Sequence, residues 1–100
     1  MKEKDIQKEI LKYLRLRKIF CFKVNNVGIK KVDGSYIPVG LKGISDILGI
    51  YKGRFLAIEV KKEKGIVSEY QQEFINNVNN NGGIGFVARS LDNVVRLLDK

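Results

Sequence analysis

Asp46, Glu59 and Lys61 are the residues whose types and spacing suit a hydrolytic site. Glu59 and Lys61 fall in the run Arg54-Phe55-Leu56-Ala57-Ile58-Glu59-Val60-Lys61-Lys62, which reads as a strand. Side chains alternate faces along a strand, so Leu56, Ile58 and Val60 share one face and Phe55, Ala57, Glu59 and Lys61 the other. A strand apolar on both sides is a buried central strand, and an acid beside a lysine where it leaves the core is costly to desolvate. Asp46 opens the preceding predicted strand, and a hairpin pairing brings it close to Glu59. Two converging carboxylates make an oxygen-rich site for Mg²⁺ or Mn²⁺, where such a cation polarises a phosphoryl oxygen and activates water. A neighbouring lysine stabilises charge on the attacked phosphate or orients the water. The plain alternative is a strand end that reaches solvent, with Glu59 and Lys61 as a surface ion pair.

The elements that must position these groups follow from periodicity. Ile6, Ile10, Leu11 and Leu14 recur at helical spacing and predict a helix over 3–17. Residues 19–24 are β-branched and aromatic and predict a strand. Residues 25–43 hold the only proline and an Asp33-Gly34 pair that favours a tight turn, so they form a small hairpin or an irregular loop. Residues 46–51 and 54–62 predict two strands joined at Lys52-Gly53. Ser68 with Gln71 is a capping-box pattern opening a helix that carries Tyr70, Phe74, Ile75 and Val78; Asn80-Asn81-Gly82-Gly83 ends it. Residues 84–88 predict a strand, and Ser90 caps a last helix with Asp92 in its first turn and Val94, Val95, Leu97 and Leu98 along it. The order is α-β-β-β-α-β-α, and the 54–88 strand-helix-strand unit requires a parallel pair. Residues 1–100 are expected to form a single domain.

Net charge is +8, and it is unevenly spread: residues 1–64 hold 16 basic and 7 acidic side chains, residues 65–100 hold 3 and 4. Such a field suits phosphate backbones; a basic surface without a partner and an anionic membrane surface are the other readings. There is no histidine, which excludes imidazole-based triads and zinc sites. The single cysteine, Cys21, rules out an internal disulfide and reads as a buried, inert thiol in a reducing cytoplasm. No run is long and apolar enough to span a membrane, and the charged start predicts no secretory leader.

On these residues the chain resembles a known family. Gly43-Ile44-Ser45-Asp46, followed thirteen residues on by Glu59-Val60-Lys61, is similar to the acid…acid-x-lysine motif of PD-(D/E)xK, restriction-enzyme-like nucleases. The flanks resemble the VRR-NUC family of small phage and bacterial nucleases: Glu3-x-x-Ile6-Gln7 with Tyr13-Leu14, Val24-Asn25-x-x-Gly28, Ser68-x-x-Gln71-x-x-Phe74, and Gly82-Gly83 before Phe86-Val87-Ala88-Arg89. The resemblance spans essentially the whole chain and implies an α/β fold with a restriction-endonuclease-like core, a central mixed sheet flanked by helices. It implies Asp46 and Glu59 as metal ligands with the Val60 carbonyl as a third, Lys61 as the catalytic lysine, Gln71 beside the site, and Glu3 completing the metal site directly or through water. Glu9 is the competing first-helix acid, and Glu3 also suits the helix dipole. Gln71 has a second reading as the capping-box residue. Ser45 stands where the wider superfamily often has proline.

Lys30, Lys31, Lys42, Lys62 and Lys64 flank the proposed site and are expected to contact phosphate; any one of them is equally a solvated charge. Asn25 contacts DNA or caps the turn. The expected activity is that of a Mg²⁺- or Mn²⁺-dependent DNA endonuclease acting on branched, Holliday-junction-like DNA as a cytoplasmic homodimer. The alternatives are a non-catalytic nucleic-acid-binding module and a structural protein that assembles through its exposed loop. The homodimer expectation rests on the small core of a 100-residue domain and on the apolar surplus of the last helix.

Overall fold

The computed structural model describes residues 1–24, 29–30, 32–37 and 41–98. Helix α1 (Glu3–Leu16) leads into β1 (Cys21–Lys23), a two-stranded hairpin β2 (Ile29–Lys30) and β3 (Tyr36–Ile37), then β4 (Ile47–Tyr51), β5 (Arg54–Val60), α2 (Glu69–Asn80), β6 (Ile84–Ala88) and α3 (Leu91–Leu98). The predicted order holds, with the hairpin inserted between the first two strands. Asn25 and Lys31 lie outside the described residues, and Lys30 is described only as a strand position.

The main sheet runs β1-β4-β5-β6. β1 and β5 flank β4 antiparallel, and β6 joins β5 in parallel, so the sheet is mixed. Lys52 and Gly53 both take positive φ, 50° and 79°, in the turn between β4 and β5. A tight hairpin of this hand needs both, and the glycine meets the requirement without strain. Three strands are shorter than the sequence implied, β4 by Asp46 alone. β1 begins at Cys21 rather than 19, although its pairing reaches beyond both ends: Ile50 donates to the Phe20 carbonyl and Val24 to that of Asp46. β5 ends at Val60, and Lys61 keeps one last bond, its N–H donating to the Ala88 carbonyl at 3.0 Å.

The faces of β5 alternate as its sequence requires. Leu56, Ile58 and Val60 lie in the larger core with Ile6, Ile10, Leu11 and Leu14 of α1 and with Val94 and Leu98 of α3. The buried Tyr51 hydroxyl donates to the Leu98 carbonyl at 2.7 Å, so the polar tip inside this core is satisfied. On the other face Ala57 packs with Leu48 and with Val78 of α2, and Phe74 closes the edge. Cys21 sits partly buried against the larger core, where burial pushes its thiol upward against the opposing pull of Arg15. That fits an unreactive thiol. α3 spends Val94 and Leu98 on the core of its own chain and leaves Leu97 39% exposed, so less of its apolar surface is free than the sequence suggested. No helix among the described residues is long and apolar enough to cross a membrane.

Candidate active site

The register of the β4–β5 hairpin sets the site. Ile47 stands opposite Ile58, so Asp46, one residue before β4, comes level with Glu59. Asp46 is held there by its own side chain: Oδ2 accepts from the Val60 N–H at 2.7 Å. Gly43, at φ 83°, lets the approach to β4 pass directly under α2. A Cβ at that position would overlap the Tyr70 carbonyl, so the closeness depends on glycine. The same approach buries Ser45 completely, with no partner for its hydroxyl.

Glu59 is only 2% exposed. Gln71 Nε2 donates to its Oε2 at 3.3 Å, whereas Oε1 is buried without a donor. Its pKa is pushed up to about 9, first by burial, then by a hydrogen bond with Asp46 and the Asp46 charge, with Glu3 adding to the effect and Lys61 opposing it. These observations agree: as a carboxylate Glu59 lacks a donor at Oε1, and holding a proton between the two carboxyls relieves the repulsion.

Gln71 closes the helix cap and also faces Glu59. Its Oε1 accepts from the Ser68 N–H at 2.9 Å, while its own N–H donates to Ser68 Oγ at 3.2 Å, closing the capping box. With the amide oxygen committed to the cap, the NH₂ group is left to face Glu59. The first turn of α2 thereby aims a donor into the site.

Glu3, in the first turn of α1, contributes its charge at Glu59; the described structure places Glu9 instead along a cleft of about 500 Å³ that Lys62, Lys64 and Arg89 also line. Among the described residues no three acidic side chains gather closely enough to hold a cation by themselves. Asp46 and Glu59 thus form a carboxylate pair, with the charge of Glu3 felt at Glu59. The donor set suits a divalent cation: hard oxygens, one of them buried and unpartnered, on a pair too crowded for both to ionise without a compensating charge.

Lys62 and Lys64 are exposed on the segment that follows Lys61. Lys42 places its ammonium 4.0 Å from the centre of the Tyr70 ring, on the α2 side of the site. Arg89 entered the sequence reading only as part of a motif, yet its guanidinium reaches the Lys62, Glu63 and Gly65 carbonyls beside the site. The available signal was topological: in a parallel β5–β6 pair the residue after Ala88 emerges next to the one after Val60.

No family model matches the sequence, and no curated protein matches it. Among solved structures, one described as a VRR_NUC domain protein superposes with a TM-score of 0.70 at 20% identity, covering 99% of this chain and 86% of that one. The chain therefore shares the fold of that VRR_NUC domain protein, a mixed sheet flanked by helices.

Proposed function

We propose that the chain is a nuclease of the VRR-NUC type that hydrolyses DNA phosphodiester bonds with Mg²⁺ or Mn²⁺ held by Asp46 and Glu59, the Val60 carbonyl serving as a third ligand. The observation that carries this reading is the burial of Glu59 against Asp46, with Lys61 and Gln71 at its side. A bound divalent cation supplies the positive charge that polarises a phosphoryl oxygen and activates water. The chain's own residues do the rest. Asp46 is fixed by the Val60 N–H, so the pair is preorganised. Gln71 steadies one oxygen of Glu59. Lys61 stands where β5 leaves the core and stabilises charge developing on the phosphate. Lys42, Lys62 and Lys64 contribute basic surface that holds the backbone, and the sequence offers Lys30, Lys31 and Asn25 as further contacts to it.

The non-catalytic binding module fits less well. A surface ion pair needs no buried acid, and two carboxylates aimed at a phosphate repel it unless a cation intervenes. Purified protein incubated with labelled single-stranded, duplex, flapped and four-way-junction DNA, each with Mg²⁺, Mn²⁺ or EDTA, tests the proposal. Cation-dependent cleavage is expected, and binding without cleavage in every arm would favour the module.

The finer reading is a homodimer working on branched DNA. Two identical sites on a two-fold axis match a junction of the same symmetry, and one copy alone offers a small footprint. Among the exposed apolar side chains, Phe20, Phe22, Ile50 and Phe55 fall on the part of the α2-side sheet face that α2 leaves uncovered, while α3 exposes Leu97. Sedimentation at micromolar concentration checks the dimer, and paired symmetric incisions check the junction.

A further inference from the structure

Beyond β5 the chain leaves the sheet at Lys61 and runs irregularly to Ser68, where α2 is capped. Its internal support is slight: the Gly65 N–H donates to the Lys62 carbonyl at 2.9 Å. Among the described residues, one side chain adds to it. Arg89 Nη1 donates to the carbonyls of Lys62 at 2.8 Å, Glu63 at 3.0 Å and Gly65 at 2.8 Å. Arg89 is itself anchored, because its N–H donates to Asn93 Oδ1 at 2.8 Å, and the Asn93 N–H in turn reaches Ser90 Oγ. The three carbonyls gather on one Nη1 and share its two hydrogens, and a charged donor of this kind holds them more firmly than a neutral one would.

What this segment touches gives the contact its consequence. A Cβ added at Gly65 would lie 3.3 Å from Glu3 Oε2 and 3.5 Å from the Lys61 Cβ, so the backbone at Gly65 is wedged between the first-helix acid and the lysine of the site. We propose that Arg89 is a positioning residue: by tying segment 62–65 to the end of β6 it fixes where Lys61 and Glu3 stand relative to Glu59. The proposal rests on the nuclease reading for its catalytic consequence, though its structural half stands without it.

Arg54 provides an internal control. It also forks onto backbone carbonyls, those of Gly82 at 2.9 Å and Gly83 at 3.1 Å, but at the opposite end of the β5–β6 pair. Arg89→Gln, Arg89→Lys and Arg54→Gln are compared in two assays: steady-state cleavage with saturating Mg²⁺, and amide hydrogen exchange without DNA. In Arg89→Gln the expected result is a fall in kcat of about a hundredfold, the size of an ångström-scale misplacement, with KM little changed. Exchange at Lys61 and Gly65 should quicken while amides in the middle of β5 stay protected. Arg89→Lys, which keeps charged donors, should recover part of both, and Arg54→Gln should lose stability without a change in kcat per folded molecule. A rise in KM with kcat preserved would overturn the proposal in favour of a direct phosphate contact. Unaltered exchange at 61–65 would overturn it as well, and so would equal losses of kcat in the Arg54 and Arg89 variants. If the wild-type protein cuts nothing, the nuclease reading fails while the exchange result still decides whether Arg89 holds the segment.

Discussion

The two faces of β5 are built from adjacent residues and do opposite things. Leu56, Ile58 and Val60 point into a closed apolar core under α1 and α3. One residue out of phase, Phe55 is half exposed, Ala57 lies under α2, and Glu59 is a buried acid with an unpartnered oxygen. The first face gains stability from burial; the second gives some of it up, since a buried carboxylate without a full set of partners destabilises the fold. The contrast teaches that the strand is anchored by one face so that the other can hold a strained pair of carboxyls in place.

The sharpest break between the faces should appear in activity. Glu59→Gln, Asp46→Asn and Lys61→Ala are each expected to lower cleavage by about a thousandfold or more, in the range seen when a positioned electrostatic group is lost, with the folded circular-dichroism spectrum kept. Ile58→Ala, one residue away on the core face, should do the reverse. It should cost about 2–5 kcal/mol of stability in chemical denaturation, while the folded fraction still cuts. A Glu59→Gln variant with wild-type rates would remove the distinction altogether.

The faces should also differ in how they respond to pH. Glu59 is raised from 4.5 to about 9 in the folded, cation-free protein. A raised carboxyl favours the fold fully below its unfolded pKa and loses that contribution as pH climbs through the folded value. In EDTA, stability is therefore expected to decline between about pH 4.5 and 9. Thermal melts across that window check it. The slope should flatten in Glu59→Gln, and added Mg²⁺ should offset the decline at the alkaline end.

Gln71 allows a finer cut, because one amide serves both the helix cap and the site. Gln71→Glu keeps the acceptor that a capping box requires but removes the donor and adds charge beside Glu59. Its melting temperature should stay near that of the wild type, while cleavage drops about tenfold, one lost charge-assisted hydrogen bond by size. Gln71→Ala should additionally lose about 1 kcal/mol with the cap. The smallest effect belongs to the rim: Lys62→Ala and Lys64→Ala should each raise KM modestly and reduce the salt slope of binding by about one, leaving kcat unchanged. A salt-independent affinity in the parent protein would argue against a phosphate partner.

Much of this arrangement was written in the chain. Alternation along 54–60 fixes which side chains share a face, Lys52-Gly53 fixes the hairpin turn, and a hairpin of that length places Asp46 level with Glu59. These are local consequences of strand period and turn chemistry, so they need no knowledge of the rest of the molecule. The Ser68-Gln71 cap is local in the same sense. Three features depended on packing between distant segments. Whether Glu3 or Glu9 lies toward Glu59 turns on where α1 sits along its own axis over the sheet, which its apolar stripe does not set, since the stripe fixes only the side that faces the core. Whether the apolar residues of α3 are surplus turns on how α1 and α3 share the core, and Val94 and Leu98 prove to be used within it. The grip of Arg89 on three carbonyls more than twenty residues away exists only because a parallel crossover lays β6 beside β5. Sequence spacing determined the pair of carboxyls, because both lie on one hairpin; tertiary structure decided how deeply Glu59 is buried and what holds its surroundings, because burial is a property of neighbours that the chain brings together only on folding.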